Sequence, residues 1–277
     1  MKSTVTAMRS IAAILALAAI AVCPAFTQSE ADFTVLLTAD GTGAIITEYT
    51  GSQMAVIIPA TIQGMPVREI GSIPKGWQDS YAVFSEKRIT SVVIPNGVTL
   101  IGTAAFSGCR QLTQVTIPNS VTRIGRQAFF TCASLKSITL PDSITEIGDS
   151  VFYGTGLTSI TWPKGLTAIP NQMFYRCENL ANVSFHEGLA TIGEGAFASC
   201  KALISVTLPA SIKRIEREAF AYCSALTTVT IPETVEGLSI AKEEYGEGGS
   251  FIGCPKLTLA SQAAIRKWIG GNHPQDK

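Results

Sequence analysis

The sequence predicts a β-rich solenoid: a stack of short coils with a parallel sheet on the concave face, an N-terminal β-hairpin cap and a short C-terminal helix cap. Three observations predict it. The pattern C-x-x-L-x-x-V-T-I-P-x-x-V-T-x-I-G-x-x-A-F, read over Cys109 to Phe129, recurs about every 23 residues from Phe84 to Leu257, a period that belongs to repeat architectures. Each copy holds one short alternating apolar run, and most of these runs are closed by proline, the signature of a strand that stops. No copy carries enough apolar surface to fold alone, so stability must come from neighbouring copies burying each other's faces.

The chain opens with Lys2 and Arg9 followed by an uncharged apolar run from Ile11 to Val22, the layout of a secretory signal peptide over residues 1–25. Twelve apolar residues are too few to span a bilayer, which takes roughly 20. Cys23-Pro24-Ala25 offers small residues for a cut after Ala25. Val22 is large for a lipoprotein signal, so ordinary cleavage fits better than a lipid anchor on Cys23. That cut leaves 19 Lys and Arg against 21 Asp and Glu, a mature charge of −2. Such a chain has no general electrostatic hold on nucleic acid or anionic lipid.

Residues 26–59 form the N-terminal cap. Phe33 to Leu37 and Ala44 to Tyr49 are β-rich runs separated by Asp40-Gly41-Thr42-Gly43, which reads as a hairpin. Its expected task is to cover the apolar end and open strand edge of the first coil. Val56-Ile57-Ile58-Pro59 is a first, imperfect strand copy.

The solenoid proper occupies residues 60–259. Phe84, Phe106, Phe129, Phe152, Phe174, Phe197, Phe220 and Phe251 are spaced 22, 23, 23, 22, 23, 23 and 31 residues apart. The strand pairs Val92/Ile94, Val115/Ile117, Ile138/Leu140, Ile160/Trp162, Val183/Phe185, Val206/Leu208 and Val229/Ile231 should point inward, because side chains alternate along a strand. Seven strands would follow the first one about 4.8 Å apart, giving an array of about 40 Å. Val121, Ile124 and Ala128-Phe129, with their equivalents, carry the chain across the convex side and back.

Cys109, Cys132, Cys177, Cys200, Cys223 and Cys254 each stand three residues after the repeat phenylalanine, and Thr155 takes that place in a shortened copy. An even cysteine count in an exported chain suggests disulfides. Rungs about 5 Å apart overshoot the roughly 3.5–4.5 Å between disulfide Cβ atoms, so a ladder of buried free thiols is the better reading. A metal fits less well, since no histidine or C-x-x-C accompanies them.

This array resembles the bacterial surface leucine-rich repeat family called BspA-like, or treponemal-type. Ile45-Ile46-Thr47-Glu48-Tyr49, Val56-Ile57-Ile58-Pro59, Ile62-Gln63-Gly64-Met65-Pro66-Val67 and Ile70-Gly71 resemble that family's lead-in as well. The likeness covers residues 33 to 259. It implies a curved leucine-rich repeat stack, export and, in several members, adhesion to host matrix proteins or other cells; it supplies no catalytic residues.

Two outward rows form the candidate concave binding face. One runs Ser91, Gln114, Ser137, Ser159, Asn182, Ser205 and Thr228. The other runs Val93, Thr116, Thr139, Thr161, Ser184, Thr207 and Thr230. Hydroxyl side chains suit an exposed strand for purely structural reasons; the functional reading is a face that meets a protein or glycan through many weak hydrogen bonds. Two insertions leave the repeat in the same phase and are candidate interaction loops, one with Trp77 and Tyr81, the other with Glu243, Glu244, Tyr245 and Glu247. Trp162 and Phe185 read as bulky core, and His186 as a turn residue where proline usually stands. Residues 260–271 read as a capping helix with Ser261 as N-cap, Ile265, Trp268 and Ile269 on one face, and Gly270 as the stop. A frayed tail, 272–277, follows.

No catalytic constellation, cofactor motif or metal-ligand spacing is present, so an enzyme is not expected. The function expected is an exported protein-binding module, an adhesin for host matrix or cell-surface proteins or a binder of another cell-envelope protein. The alternative is a periplasmic or surface scaffold that associates with itself or with envelope partners. An enzyme without a recognisable motif is the most distant reading. No nucleic acid and no membrane span enter any of them.

Overall fold

A computed structural model gives the fold and describes residues 28–71, 82–235, 238–240 and 249–269. Each coil has three sides, and in most coils each side is hydrogen-bonded to its neighbours.

The first side is the predicted one. Strands Ala55–Ile57, Ser91–Val93 and Gln114–Thr116 pair in parallel, with Val56, Val92 and Val115 in register. Ser159–Thr161 pairs with Asn182–Ser184, and Ser205–Thr207 with Thr228–Thr230. Here the expectation of one continuous sheet is corrected. Residues 137–139 form no strand, and Asn182–Ser184 does not join Ser205–Thr207, so the face is three short ladders.

The second side, expected only as a crossing, is itself a parallel ladder. Met65–Ile70, Leu100–Ile101, Arg123–Ile124 and Glu146–Ile147 pair in sequence. Ala168–Ile169, Thr191–Ile192, Arg214–Ile215 and Ser239–Ile240 form a second run. In most coils a glycine follows the isoleucine and donates its N–H to the isoleucine carbonyl one coil back: Gly102 to Ile70 at 2.6 Å, Gly125 to Ile101 at 2.7 Å, Gly148 to Ile124 at 2.9 Å. Pro170 stands in that place in the next coil and has no N–H to give. The ladder breaks there. The same coil boundary holds the shortened copy around Thr155, where one residue fewer connects the two sides, and the first side is interrupted beside it at residues 137–139.

The third side carries the phenylalanines. Phe84 donates to Ala105, Phe106 to Ala128, Phe129 to Val151 and Phe152 to Met173, all at 2.8–3.1 Å, so this side crosses the break unbroken. The rings stack face to face in one fully buried column from Phe84 to Phe220. Centroid spacings are 4.9 and 5.3 Å at its start, widen to 5.8 and 5.7 Å around Phe152, and return to 5.1 Å. The column stretches where the other two sides let go. Phe251 still stacks on Phe220 at 5.1 Å, so the 31-residue spacing leaves the core register intact.

Sharp corners flank each phenylalanine. Two residues before it Ala104, Gln127, Ser150, Gln172 and Glu218 have φ of 53–57°, and two residues after it Glu86, Thr131, Arg176, Ser199 and Tyr222 have φ of 53–61°. These left-handed corners recur coil after coil in residues other than glycine, held by the backbone bonds on either side.

Both ends are closed. Phe33–Leu37 pairs antiparallel with Ala44–Tyr49, which joins Met65–Ile70 in parallel, so the hairpin extends the second ladder. Its turn is fixed by Asp40, whose carboxylate accepts from Thr38 Oγ1 at 2.6 Å and Thr42 N at 3.0 Å; these bonds, Thr38's first, hold its pKa down at about 2. Phe33 and Tyr49 extend the ring column beyond Phe84. At the other end the helix is Leu259–Trp268 with Thr258 as N-cap, its side chain accepting from Ser261 N. This corrects the assignment of Ser261. Ser261 is buried within the helix, where its hydroxyl accepts from Val229 N at 3.1 Å and donates to Thr227 O at 3.3 Å, closing the open edge of the last first-side strand. Ile269 bridges to Ile240 and closes the second ladder, while Ile265 and Trp268 are buried against the last coil.

Candidate functional site

The first-side strands place both predicted rows in solvent because Val92, Val115, Ile160, Val206 and Val229 take the inward positions. Register joins Ser91 to Gln114 and Val93 to Thr116, Ser159 to Asn182 and Thr161 to Ser184, Ser205 to Thr228 and Thr207 to Thr230. Ser137 and Thr139 lie exposed in the gap. No ion pair among the described residues touches this face. Its hydroxyls are nearly all free, with one contact of 3.4 Å between Thr227 and Thr228. The face ends, toward the hairpin, in an apolar corner that the sequence reading passed over: Met54 and Ile57 are half exposed, and Ile57 pairs with Val93. The signal was present, since Ile57 continues the Val93 row by one rung.

Trp77, Tyr81, Glu243, Glu244, Tyr245 and Glu247 lie outside the described residues, as does Cys23. Trp162 is buried edge-on to Phe174, and the half-buried Phe185 stands edge-on to Phe197, as bulky core should. His186 has its ring nitrogens against the carbonyls of Glu187, at 2.8 Å, and Leu166, at 3.1 Å. It ties two turns together. Among the described residues no group of His, Cys, Asp and Glu could hold a metal ion.

The six cysteines are free thiols with one shared task. Each Sγ donates to the carbonyl of the phenylalanine one coil back: Cys109 to Phe84 at 2.8 Å, Cys132 to Phe106 at 3.2 Å, Cys177 to Phe152 at 3.0 Å, and likewise through Cys254 to Phe220 at 3.1 Å. Thr155 satisfies its own coil's Phe152 carbonyl instead, at 3.0 Å. Burial pushes the Cys109 thiol up to about 12 and Cys177 to about 11, and raises Cys132 and Cys200 as well. At the end of the ladder the neighbouring Cys254 thiol, followed by burial, raises Cys223, and Cys223 in turn lowers the less buried Cys254. Bonded and, apart from the half-buried Cys254, fully buried, these thiols belong to the core of the stack.

A second surface feature lies on the third side. Phe130, Tyr153 and Tyr175, each one residue after a column phenylalanine, form a partly exposed stack with centroids 4.6 and 5.0 Å apart. The stack ends at a cleft of about 600 Å³ lined by Glu86, Lys87, Arg88, Ser107, Gly108, Arg110, Gln111, Phe130 and Thr131. Reading the repeat for its core hid this, since the aromatic position changes identity from coil to coil.

The description of the BspA type leucine-rich repeat region matches residues 80–155 and 145–244, in six copies. The chain belongs to the BspA-type leucine-rich repeat family. Among solved structures it is similar to a leucine-rich repeat protein from Bacteroides ovatus, with 32% identity and a TM-score of 0.66 over 76% of this chain and 54% of that one. The chain thus spans about half the length of that relative. It is also similar to the Treponema pallidum leucine-rich repeat protein, with 28% identity, a TM-score of 0.58, and coverage of 87% and 95%. A leucine-rich cell surface protein from Faecalibacterium prausnitzii is 25% identical, with a TM-score of 0.54 and coverage of 84% and 86%. No curated protein matches the chain. No helix among the described residues is long and apolar enough to cross a membrane.

Proposed function

We propose that this BspA-type protein is an exported surface module that binds a protein, an adhesin for a host matrix or cell-surface protein or a binder of a cell-envelope protein, through its Ser/Thr face. One observation carries the reading. An uncharged field of free hydroxyls runs along the first-side strands and ends in the exposed corner of Met54, Ile57 and Val93. Interfaces draw affinity from a small desolvated apolar centre and take complementarity from a polar surround. The corner supplies the first and the rows the second. The reading takes residues 1–25 as a leader, 26–59 as cap, 60–259 as binding array and 260–271 as closing helix.

The test is binding of the purified chain to immobilised matrix proteins, with Ile57→Glu and Thr161→Lys/Thr207→Lys variants. Loss of binding with an unchanged melting temperature supports the face; undiminished binding by both variants removes it. Protease accessibility on intact cells, beside a periplasmic control, tests the exported surface location. A scaffold that associates with itself is the second reading, favoured by the outer hairpin strand Phe33–Leu37, whose Leu36 and Leu37 are 39% and 58% exposed on an open edge. Concentration-dependent dimers abolished by Leu37→Lys would favour it.

A further inference from the structure

We infer that the cleft beside Phe130 is a binding site for an acidic sugar residue, a uronate or sulfated sugar of a polysaccharide. The inference stands apart from the protein-binding face, on another side of the coil. Phe130 stacks on Tyr153 and also lines the cleft. One coil toward the N-terminus the same position holds Ser107, followed by Gly108 with φ of +71° and no side chain. The stack therefore ends in a step, with an aromatic wall above a small-residue floor.

The rim is basic. Arg88 and Arg110 stand four residues after Phe84 and Phe106, on adjacent rungs of one column, and both are exposed. The same column later holds Glu178 and Lys201, which meet at 2.7 Å. Side chains on neighbouring rungs of that column therefore reach a common point. Where the later coils place opposite charges, the cleft places two guanidiniums, joined by Lys87 and faced by one carboxylate, Glu86. Neither arginine makes an ion pair among the described residues. Two planar forks converging on one space suit a carboxylate or sulfate group. An apolar ring face beside them suits the C–H face of a sugar, and Ser107, Gln111 and Thr131 offer the hydroxyl and amide partners its hydroxyls need. About 600 Å³ falls in the range of small-ligand sites. An acidic peptide would use the charges and leave the flat wall unexplained.

The test is titration calorimetry of the purified chain with three probes: a heparin-derived tetrasaccharide, tetragalacturonate and neutral maltotetraose. At least one acidic tetrasaccharide should bind, more weakly as salt rises, while maltotetraose does not; comparing the two acids tells sulfate from carboxylate. Arg88→Ala/Arg110→Ala should weaken binding about tenfold or more, since bonds to charged groups are the strong ones. Phe130→Leu should weaken it about threefold to tenfold with the salt dependence unchanged, and Phe130→Tyr should restore it. Lys201→Ala is the control and should change nothing. The inference fails if neither acidic probe binds, if either the arginine or the leucine variant binds like the parent, if sodium sulfate binds as tightly as the tetrasaccharide, or if polyglutamate binds more tightly than both sugars.

Discussion

Gly125 should tolerate a side chain poorly. Its φ lies outside the left-handed region, so its conformation does not require glycine. The neighbouring coil does. A Cβ on Gly125 would sit 2.5 Å from Thr103 N, 2.7 Å from Gly102 C and 3.0 Å from Thr103 Cα. All three are backbone atoms and cannot swing away like the end of a side chain. Relief requires the two coils to part by about 1 Å at a rung held by the 2.7 Å bond from Gly125 N to Ile101 O. Overpacking of this kind costs about 1–3 kcal/mol, and a weakened hydrogen bond adds up to about 1. The loss of unfolded-chain entropy gives back about 0.4–1 kcal/mol.

Gly125→Ala should therefore destabilise the protein by about 1–3 kcal/mol, lowering the melting temperature by about 2–4 °C for each kcal/mol. Urea and thermal unfolding followed by circular dichroism would read it. Gly41→Ala makes the contrast: φ is +69° and no atom lies within 4 Å of its Cβ, so its cost is conformational only. Glu216 occupies the equivalent place and keeps its bond to Ile192 O at 2.9 Å, so the column can open locally. A Gly125→Ala protein as stable as the parent would mean the coils part freely here too, and the close-approach account of the Ile-Gly repeat would be wrong.

Thr131, β-branched at φ of +53°, stands where neighbouring coils carry Gly108 and Gly154; Thr131→Gly should stabilise by about 1 kcal/mol, seen as a higher urea midpoint, and a lower midpoint would contradict the corner argument. Stability should fall as pH rises past 9, because the unfolded thiols ionise near 9.0 while Cys109 and Cys177 hold their protons to about 12 and 11. In that window the unfolded chain binds fewer protons, so each thiol contributes a loss of up to about 1.4 kcal/mol per pH unit. Urea midpoints from pH 8 to 10.5 measure it, and Cys109→Ala should flatten the slope. Amide hydrogen exchange should be faster at residues 137–139 than at Gln114–Thr116, since the ladder is interrupted there; equal protection would place the seam elsewhere.

What could be read from the chain depended on whether one residue type reported one local state. The first-side strand was legible because alternation and a closing proline leave few other readings. The second ladder was not, since its strands beyond Met65–Ile70 are two residues long and two residues carry no period. Thr-x-Ile-Gly was the available clue, with glycine marking close approach rather than a turn. The left-handed corners escaped because they are filled by Ala104, Gln127 or Thr131, imposed by backbone bonds to adjacent coils rather than by local preference. The helix start was misplaced by three residues for a similar reason: Ser261 has the right chemistry for a cap, but the open edge of Thr228–Thr230 claims its hydroxyl and leaves the cap to Thr258. The break at Pro170 was written plainly, as a residue without an N–H in a column of glycine donors.

The anchors of both proposed sites stand where outward columns depart from the repeat. Inward columns are uniform because each coil meets the same packing demand from its neighbours, so Phe, Cys and Ile recur with little choice. Outward columns face no such demand, and neighbouring rungs would be most stable with opposite or neutral side chains, as Glu178 and Lys201 show. Arg88 beside Arg110 runs against that preference, and Phe130, Tyr153 and Tyr175 expose aromatic surface where Ser85, Ser107 and Ala198 would serve the fold as well. Met54, Ile57 and Val93 do the same at the edge of the hydroxyl face. Each departure gives up solubility or local stability that the repeat does not require it to give up, and each occurs on a run of adjacent coils. Clustering of this kind is what the proposed binding surfaces need, and the packing demand that keeps the inward columns uniform does not call for it.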